Sequence, residues 1–257
     1  MSIPKTSIGR ILKQLNLKAY RPRLTNKLED GDHDRRCEFS EKFIELTLNF
    51  ENLQRKVIWS DEASFSLCGT VNRHNSVYYR TENPHIKYEV NQFSKKIMVW
   101  LGVTYDGIIG PYFFEENVNG KTYLDMLQNY MVPIIETRSN FHELWYQHVD
   151  APAHYSKDVS IFLDQIFSNR WIGRRGPIEW PPRSPDLNPL DFFVWGYLKD
   201  KVFAHTPSSI FELCCSISFE VLNIPLEFIQ NAVDSVISRL LVFKNNEGQT
   251  INHEIEN

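Results

Sequence analysis

The sequence predicts an α/β fold, a mixed β-sheet covered by helices, and three observations point there. Strand-like runs come first and include a hairpin; later strand-like runs alternate with helical ones; and 257 residues with 42% apolar content suffice to bury a full core. The chain therefore reads as one main domain with a small N-terminal appendage.

Taken in order, "SIPKTSIGRILKQLNL" reads as a short helix with Ile8, Ile11, Leu12 and Leu15 on one face and Arg10, Lys13 and Gln14 on the other. "LKAYRPRLTNK" reads as an extended basic linker, and helical periodicity returns from Asp32 to Phe50 through Phe39, Phe43 and Leu46. "RKVIWSDEASFSL" has the β-rich run of a buried strand, which would leave Asp61 at its end. "SKKIMVWLGVTYDGIIGPYFFEE" reads as a hairpin turning at Asp106 and Gly107, both taken to have positive φ. Residues 121–138 read as a helix, "ELWYQHV" as a strand ending near Asp150, 153–167 as a helix and "IEW" as a short strand. The prolines of "PPRSPDLNP" exclude a helix there, while Asn188 as N-cap and Pro189 as first helical residue open one at "LDFFVWGYLKDKV", with Asp191 in its first turn. Two helices, near 209–222 and 226–244, complete the chain.

Charge is unevenly placed. Residues 1–27 carry Lys5, Arg10, Lys13, Lys18, Arg21, Arg23 and Lys27 and no acid, whereas the net charge of the whole is -4. Such a block suits either a solvated face or a nucleic-acid contact. No apolar run approaches the roughly eighteen residues of a membrane span, and the N-terminus lacks an apolar signal core, so an intracellular chain without a membrane partner is expected. Cys37, Cys68, Cys214 and Cys215 have neither disulfide-framework nor zinc-ligand spacing.

The informative residues are Asp61, Asp150 and Asp191, set at two strand ends and a helix start. Carboxylates converging from such positions can hold a pair of Mg²⁺ ions for phosphodiester cleavage, one activating the nucleophile and one the leaving oxygen. Each also has a plainer reading as a turn cap, a helix cap or a favourable charge at a helix N-terminus.

The flanking residues resemble the Tc/mariner superfamily of cut-and-paste DNA transposases from near Pro4 to about His253. "IWSDEASFSLCGTVNRHNSVYY" looks like the first motif, "KIMVWLGVTYDGIIGPYFFEENVNGKTYLDML" like the hairpin-to-helix core, and "RWIGRRGPIEWPPRSPDLNPLDFFVWGYLKD" like the third motif in the form whose last acid is Asp. The resemblance implies a ribonuclease-H-like catalytic domain over 56–257, a helical linker over 28–55 and a partial helix-turn-helix remnant with its basic linker over 1–27. It also implies a carboxylate site for two Mg²⁺ or Mn²⁺ ions, strand cleavage with transfer of a 3′-hydroxyl, DNA partners in the form of transposon terminal repeats and target DNA, a possible homodimer, and action in the nucleus.

Asp61 matches the first acid and Asp191 the third. The second departs from the pattern: the family string Asp-Gly-Ala-Pro-x-His meets Val149-Asp150-Ala151-Pro152-Ala153-His154, so Val149 takes the acid's slot and Asp150 the glycine's. Side chains alternate along a strand, so a carboxylate moved by one residue faces the other way unless the backbone bends. The expectation is an impaired site, with a non-catalytic DNA-binding or interaction protein as the alternative. Glu62 is expected to face away from Asp61, and His148 and His154 to bond or pack rather than bind a hard cation.

For DNA, "PKTSIGRILKQLNLKAYRP" resembles the recognition-helix end of the family's second helix-turn-helix, with Lys5, Thr6, Ser7, Arg10 and Lys13 as contacts. The helices that would precede it are absent before Met1, so the chain reads as an N-terminally truncated copy. Arg174 and Arg175, with Arg170 and Arg183 nearby, are expected to form a positive rim beside the acids. Trp59, Trp100, Trp145, Trp180 and Trp195 are expected in the core.

Overall fold

A run of three apolar residues, Val57-Ile58-Trp59, buried on both sides, makes the centre of the sheet. The computed structural model describes residues 27–67, 95–205 and 207–251, together with Arg10 and Gln14. Lys5, Thr6, Ser7 and Lys13 lie outside the described residues; Arg10 is helical and exposed.

Five strands form one sheet in the order β3-β2-β1-β4-β5. They are β1 (Val57–Ser66), β2 (Lys96–Thr104), β3 (Gly107–Phe114), β4 (Trp145–Gln147) and β5 (Trp171–Ile172). β1 to β3 are antiparallel neighbours, and β4 and β5 add in parallel, giving the mixed sheet expected. Along β1, Val57, Trp59, Ala63 and Phe65 enter one core with α1 (Asp32–Asn49), α4 (Trp195–Val202), α5 (Ile210–Leu222) and α6 (Leu226–Asn245). Ile58 enters a second core with α2 (Gly120–Met126) and α3 (Lys157–Phe167), so the strand's alternation places a helical layer on each face. The five tryptophans expected in the core are all buried.

Several local expectations need correction. Asp61 stands mid-strand, because pairing with β2 carries β1 on to Ser66; what ends near it is the parallel pairing with β4, which covers only Val57 to Trp59. Gly107 has φ 136°, but Asp106 is not among the positive-φ residues, so only the glycine accommodates the turn's twist. The helix predicted from Ala153 begins at Lys157, since residues 152–155 are spent on a turn. "IEW" contributes one bridge, Ile172 to Ile178, and the strand is instead Trp171–Ile172, too short for a periodicity to reveal. The opening at Asn188 holds: its Oδ1 accepts from Leu190 N at 3.1 Å, and the helix starts with a π-turn, Leu190–Val194, before α4.

α1 is bound to the rest of the chain through Arg36, whose side chain is fully buried. It donates to Gly248 O (2.7 Å), Arg183 O (2.8 Å), Ser184 Oγ (3.0 Å) and Asp186 Oδ2 (2.9 Å), and lies 4.1 Å over the Phe243 ring. Arg36→Met should destabilise the protein by about 3–5 kcal/mol in urea unfolding, because it removes the cation paired with Asp186, to which only Ile251 N among the described residues would still donate, and the donor to two carbonyls.

Candidate active site

Where β4 stops pairing, the backbone edge of β1 needs other partners, and side chains supply them. Gln147 Oε1 accepts from Ser60 N (3.1 Å), and Asn188 Nδ2 donates to Ser60 O (3.2 Å). The sheet thus opens next to Asp61, and the loop that bears Asn188 is held there together with the turn that bears Asp191.

The result is a pocket of about 340 Å³, open to solvent, lined by Asp61, Val149, Asp150, residues 180–185 and Asp191. Asp61 is nearly buried, and its Oδ2 accepts from Trp195 Nε1 at 2.8 Å. Burial, then the charges of Asp191 and Glu62, push its carboxyl well above the usual range, against the pull of the Trp195 bond. Asp191 is pushed up to about 7, first by burial and further by Asp186, with Lys199 opposing. Its surface is open at the pocket mouth although protein crowds its other sides, so solvent screens part of this effect while the direction stands. Burial lowers the Lys199 ammonium's pKa, and Asp191 and Asp61 oppose that.

Asp150 is brought to the same pocket but not to the same partners. Trp145 packs in the core on the Asp61 face of the sheet, while Tyr146 packs with the opposite core and His148 beside it. Continuing that parity puts Val149 on the Asp61 face. The chain then turns, with Ala151 N donating to Val149 O (3.0 Å), and the exposed Asp150 accepts from Arg174 Nη1 at 3.4 Å.

Two crowded carboxylates with raised pKa values, both hard oxygen donors, fit a divalent cation, which would neutralise their repulsion. Among the described residues, however, no three of His, Cys, Asp and Glu converge closely enough to hold a metal ion. Glu62 faces the opposite side of β1, 3.1 Å from His154 Nε2, as strand alternation requires.

The rim is narrower than the sequence suggests. Arg183 is consumed by Asp32 (Nη2 to Oδ1, 2.8 Å) and Glu29 (3.1 Å), and Arg170 donates to Leu144 O. Arg174 and Arg175 remain at the surface, their guanidinium groups 4.5 and 5.4 Å from the Tyr155 ring, and Arg175 also donates to Tyr155 O at 3.1 Å. Sequence reasoning missed Trp195 as the donor to Asp61. Its place four residues after Asp191 on a helix was the available signal.

No family model matches the chain. Among curated proteins it is similar to the transposable element Tcb1 transposase of Caenorhabditis briggsae, 28% identical over 193 residues, 71% of this chain and 64% of that protein. It is also similar to the Tc3 transposase of Caenorhabditis elegans, 24% identical over 264 residues, 98% of this chain and 73% of that protein. The chain thus spans somewhat less than two thirds of the first relative's length. Among solved structures it resembles a pre-cleavage Mos1 transpososome, with TM-score 0.77 and 18% identity over 96% of this chain and 72% of that one. It also resembles the catalytic domain of Mos1 mariner transposase, with TM-score 0.64 and 16% identity over 90% of this chain and all of that one. The shared fold is a five-stranded mixed sheet flanked by helices, the ribonuclease-H-like arrangement. A paired-end complex of Mos1 has been solved with Mn and another with Mg.

Proposed function

Given that the chain is a relative of the Tc/mariner transposases, we propose that it is a DNA strand-cleavage and strand-transfer domain whose metal site is impaired at one ligand position. The observation that carries this reading is the convergence of Asp61 and Asp191 on one pocket, each with a raised pKa and with Val149 beside them. Asp61 and Asp191 would hold Mg²⁺ or Mn²⁺, two ions in an intact site, and the metal would supply an activated nucleophile and a stabilised leaving oxygen. Trp195 holds the first carboxylate in place, and Lys199 adds a positive charge that limits the repulsion within the pair. Asp150 is the nearest substitute for the missing acid, but its pairing with Arg174 and its strand parity both favour a position off the ligand site.

DNA is the proposed partner. Arg174 and Arg175 would contact backbone phosphates beside the pocket, and Lys5, Thr6, Ser7, Arg10 and Lys13 would contact transposon ends, with a homodimer joining two ends in the nucleus. Arg174→Ala with Arg175→Ala should weaken non-specific duplex binding and lower the salt-dependence slope by roughly 2, measured by fluorescence anisotropy across salt concentrations.

The test of the reading is Mn²⁺ calorimetry beside nicking of supercoiled plasmid. Weak Mn²⁺ binding that disappears in Asp61→Asn is expected, with nicking slow or absent. A chain that binds no Mn²⁺, or nicks equally well as Asp61→Asn, would defeat it. The absence of a three-ligand cluster among the described residues favours a second reading, a non-catalytic DNA-binding or interaction protein on the same fold. DNA binding indifferent to Mn²⁺ would select that one.

A further inference from the structure

On the face of β1 opposite Asp61, a group of polar side chains is buried with almost no access to solvent. Tyr123 and Tyr146 share a 2.6 Å bond between hydroxyls, Ser60 Oγ lies 3.0 Å from Tyr146 OH and donates to Gln147 O (2.7 Å), and the His148 and His154 rings stack at 5.1 Å. His154, 1% exposed, is also stacked on Tyr123 at 4.1 Å, so its ring has no room to rotate.

We propose that His154 is a positioning residue: it ties the turn at Val149–Ala151, where the second acid belongs, to β1, which bears the first. This rests on the metal-site reading above. His154 Nδ1 lies 2.8 Å from Val149 O; a carbonyl only accepts, so Nδ1 carries a proton and donates. Nε2 lies 3.1 Å from Glu62 Oε2, off the axis of an ideal hydrogen bond, so the link there is the attraction of opposite charges. A neutral ring with its proton on Nδ1 would turn a lone pair towards the carboxylate, which the imidazolium avoids. Burial opposes that charge, while Glu62 and the Val149 carbonyl favour it strongly enough to raise the His154 pKa.

Glu62 directly follows Asp61, so a single ring spans from the first acid's strand to the backbone of the second acid's slot. The turn's other ties are Ala151 N to Val149 O (3.0 Å), His154 N to Ala151 O (2.9 Å) and the solvent-facing Asp150–Arg174 pair. Of the side chains that hold it, His154 is the buried one, and a buried tie sets the rest position more firmly than an exposed ion pair. His154 therefore acts on the metal site through the carbon skeleton at residue 149, without touching the cation.

The two ring nitrogens can be tested apart, because an Asn amide reproduces the Nδ1 donor and a Gln amide reproduces the reach of Nε2. The first readout is amide hydrogen exchange at Ala151 in the native chain. His154→Gln should speed it about tenfold, and His154→Asn should leave it within about threefold. The second readout is Mn²⁺ affinity in the chain carrying Val149→Asp and Asp150→Gly. There His154→Gln should weaken binding roughly tenfold and His154→Asn should largely rescue it, in the range typical of groups that orient metal ligands. Equal behaviour of the Asn and Gln variants in both readouts would overturn the proposal. Should either fail to fold, Glu62→Gln, which loses the same link as His154→Asn and keeps the Nδ1 donor, should speed Ala151 exchange about two- to threefold, and unchanged exchange would overturn the proposal. If the Val149→Asp, Asp150→Gly chain itself binds Mn²⁺ no better than the native chain, the metal-site reading has failed, and the exchange readout judges His154 independently.

Discussion

Val149→Asp combined with Asp150→Gly should raise Mn²⁺ affinity by about tenfold or more, because it moves a carboxylate to the strand parity of Asp61 and adds a charged hard ligand beside Asp61 and Asp191, the two proposed to hold the metal. The physical lever is small. Ligand distances tolerate only about 0.2 Å, whereas a one-residue displacement on an extended strand reverses the side chain's direction. Asp150→Asn alone should leave affinity near that of the native chain, since Asp150 faces Arg174. Isothermal calorimetry on the three proteins separates the outcomes: a large loss from Asp150→Asn would show that Asp150 already serves as a ligand, and no gain from the paired change would overturn the metal-site reading.

The second large effect concerns Asp191 and Asp61. In the folded chain Asp191 titrates at about 7, against an ordinary aspartate value near 4. The folded form therefore keeps a proton that the unfolded form releases. The associated stability is present below about pH 4, falls as pH rises between the two values, and is lost above about 7. The Asp61 carboxyl, also raised, has the same sign. Asp191→Asn should accordingly stabilise the metal-free protein at pH 8. Discounted for the solvent that reaches Asp191, the gain is on the order of 1–2 kcal/mol, or about 2–8 °C in Tm. Mn²⁺ should do the opposite, stabilising the native chain more at pH 8 than at pH 6 and the Asn variant hardly at all. Scanning calorimetry at the two pH values, with and without Mn²⁺, checks both signs. An Asn variant less stable than the native chain at pH 8 would mean that Asp191 is held by partners rather than repelled.

These expectations differ in how early they become legible. The apolar run Val57-Ile58-Trp59, the hairpin around Gly107 and the Asn188-Pro189 helix start can be read directly, because each depends on residues within a few positions of one another. The outward turn of Glu62 is equally local, since it needs only the alternation of a strand. β5 escaped notice because two residues have no period, and the loss of Arg183 and Arg170 from the rim because their partners stand far away in the chain, at Asp32, Glu29 and Leu144.

By itself the sequence determined the alternating and helical patterns, hence the mixed sheet and its helical layers. Only the tertiary structure decided that Asp61 lies where β1 outruns β4, that Trp195 and Asp191 meet it there, and that His154 ties Val149 to Glu62. The reason is physical. Periodicity is a property of neighbouring residues, whereas burial, charge repulsion and the satisfaction of backbone groups arise between segments brought together only when the chain folds.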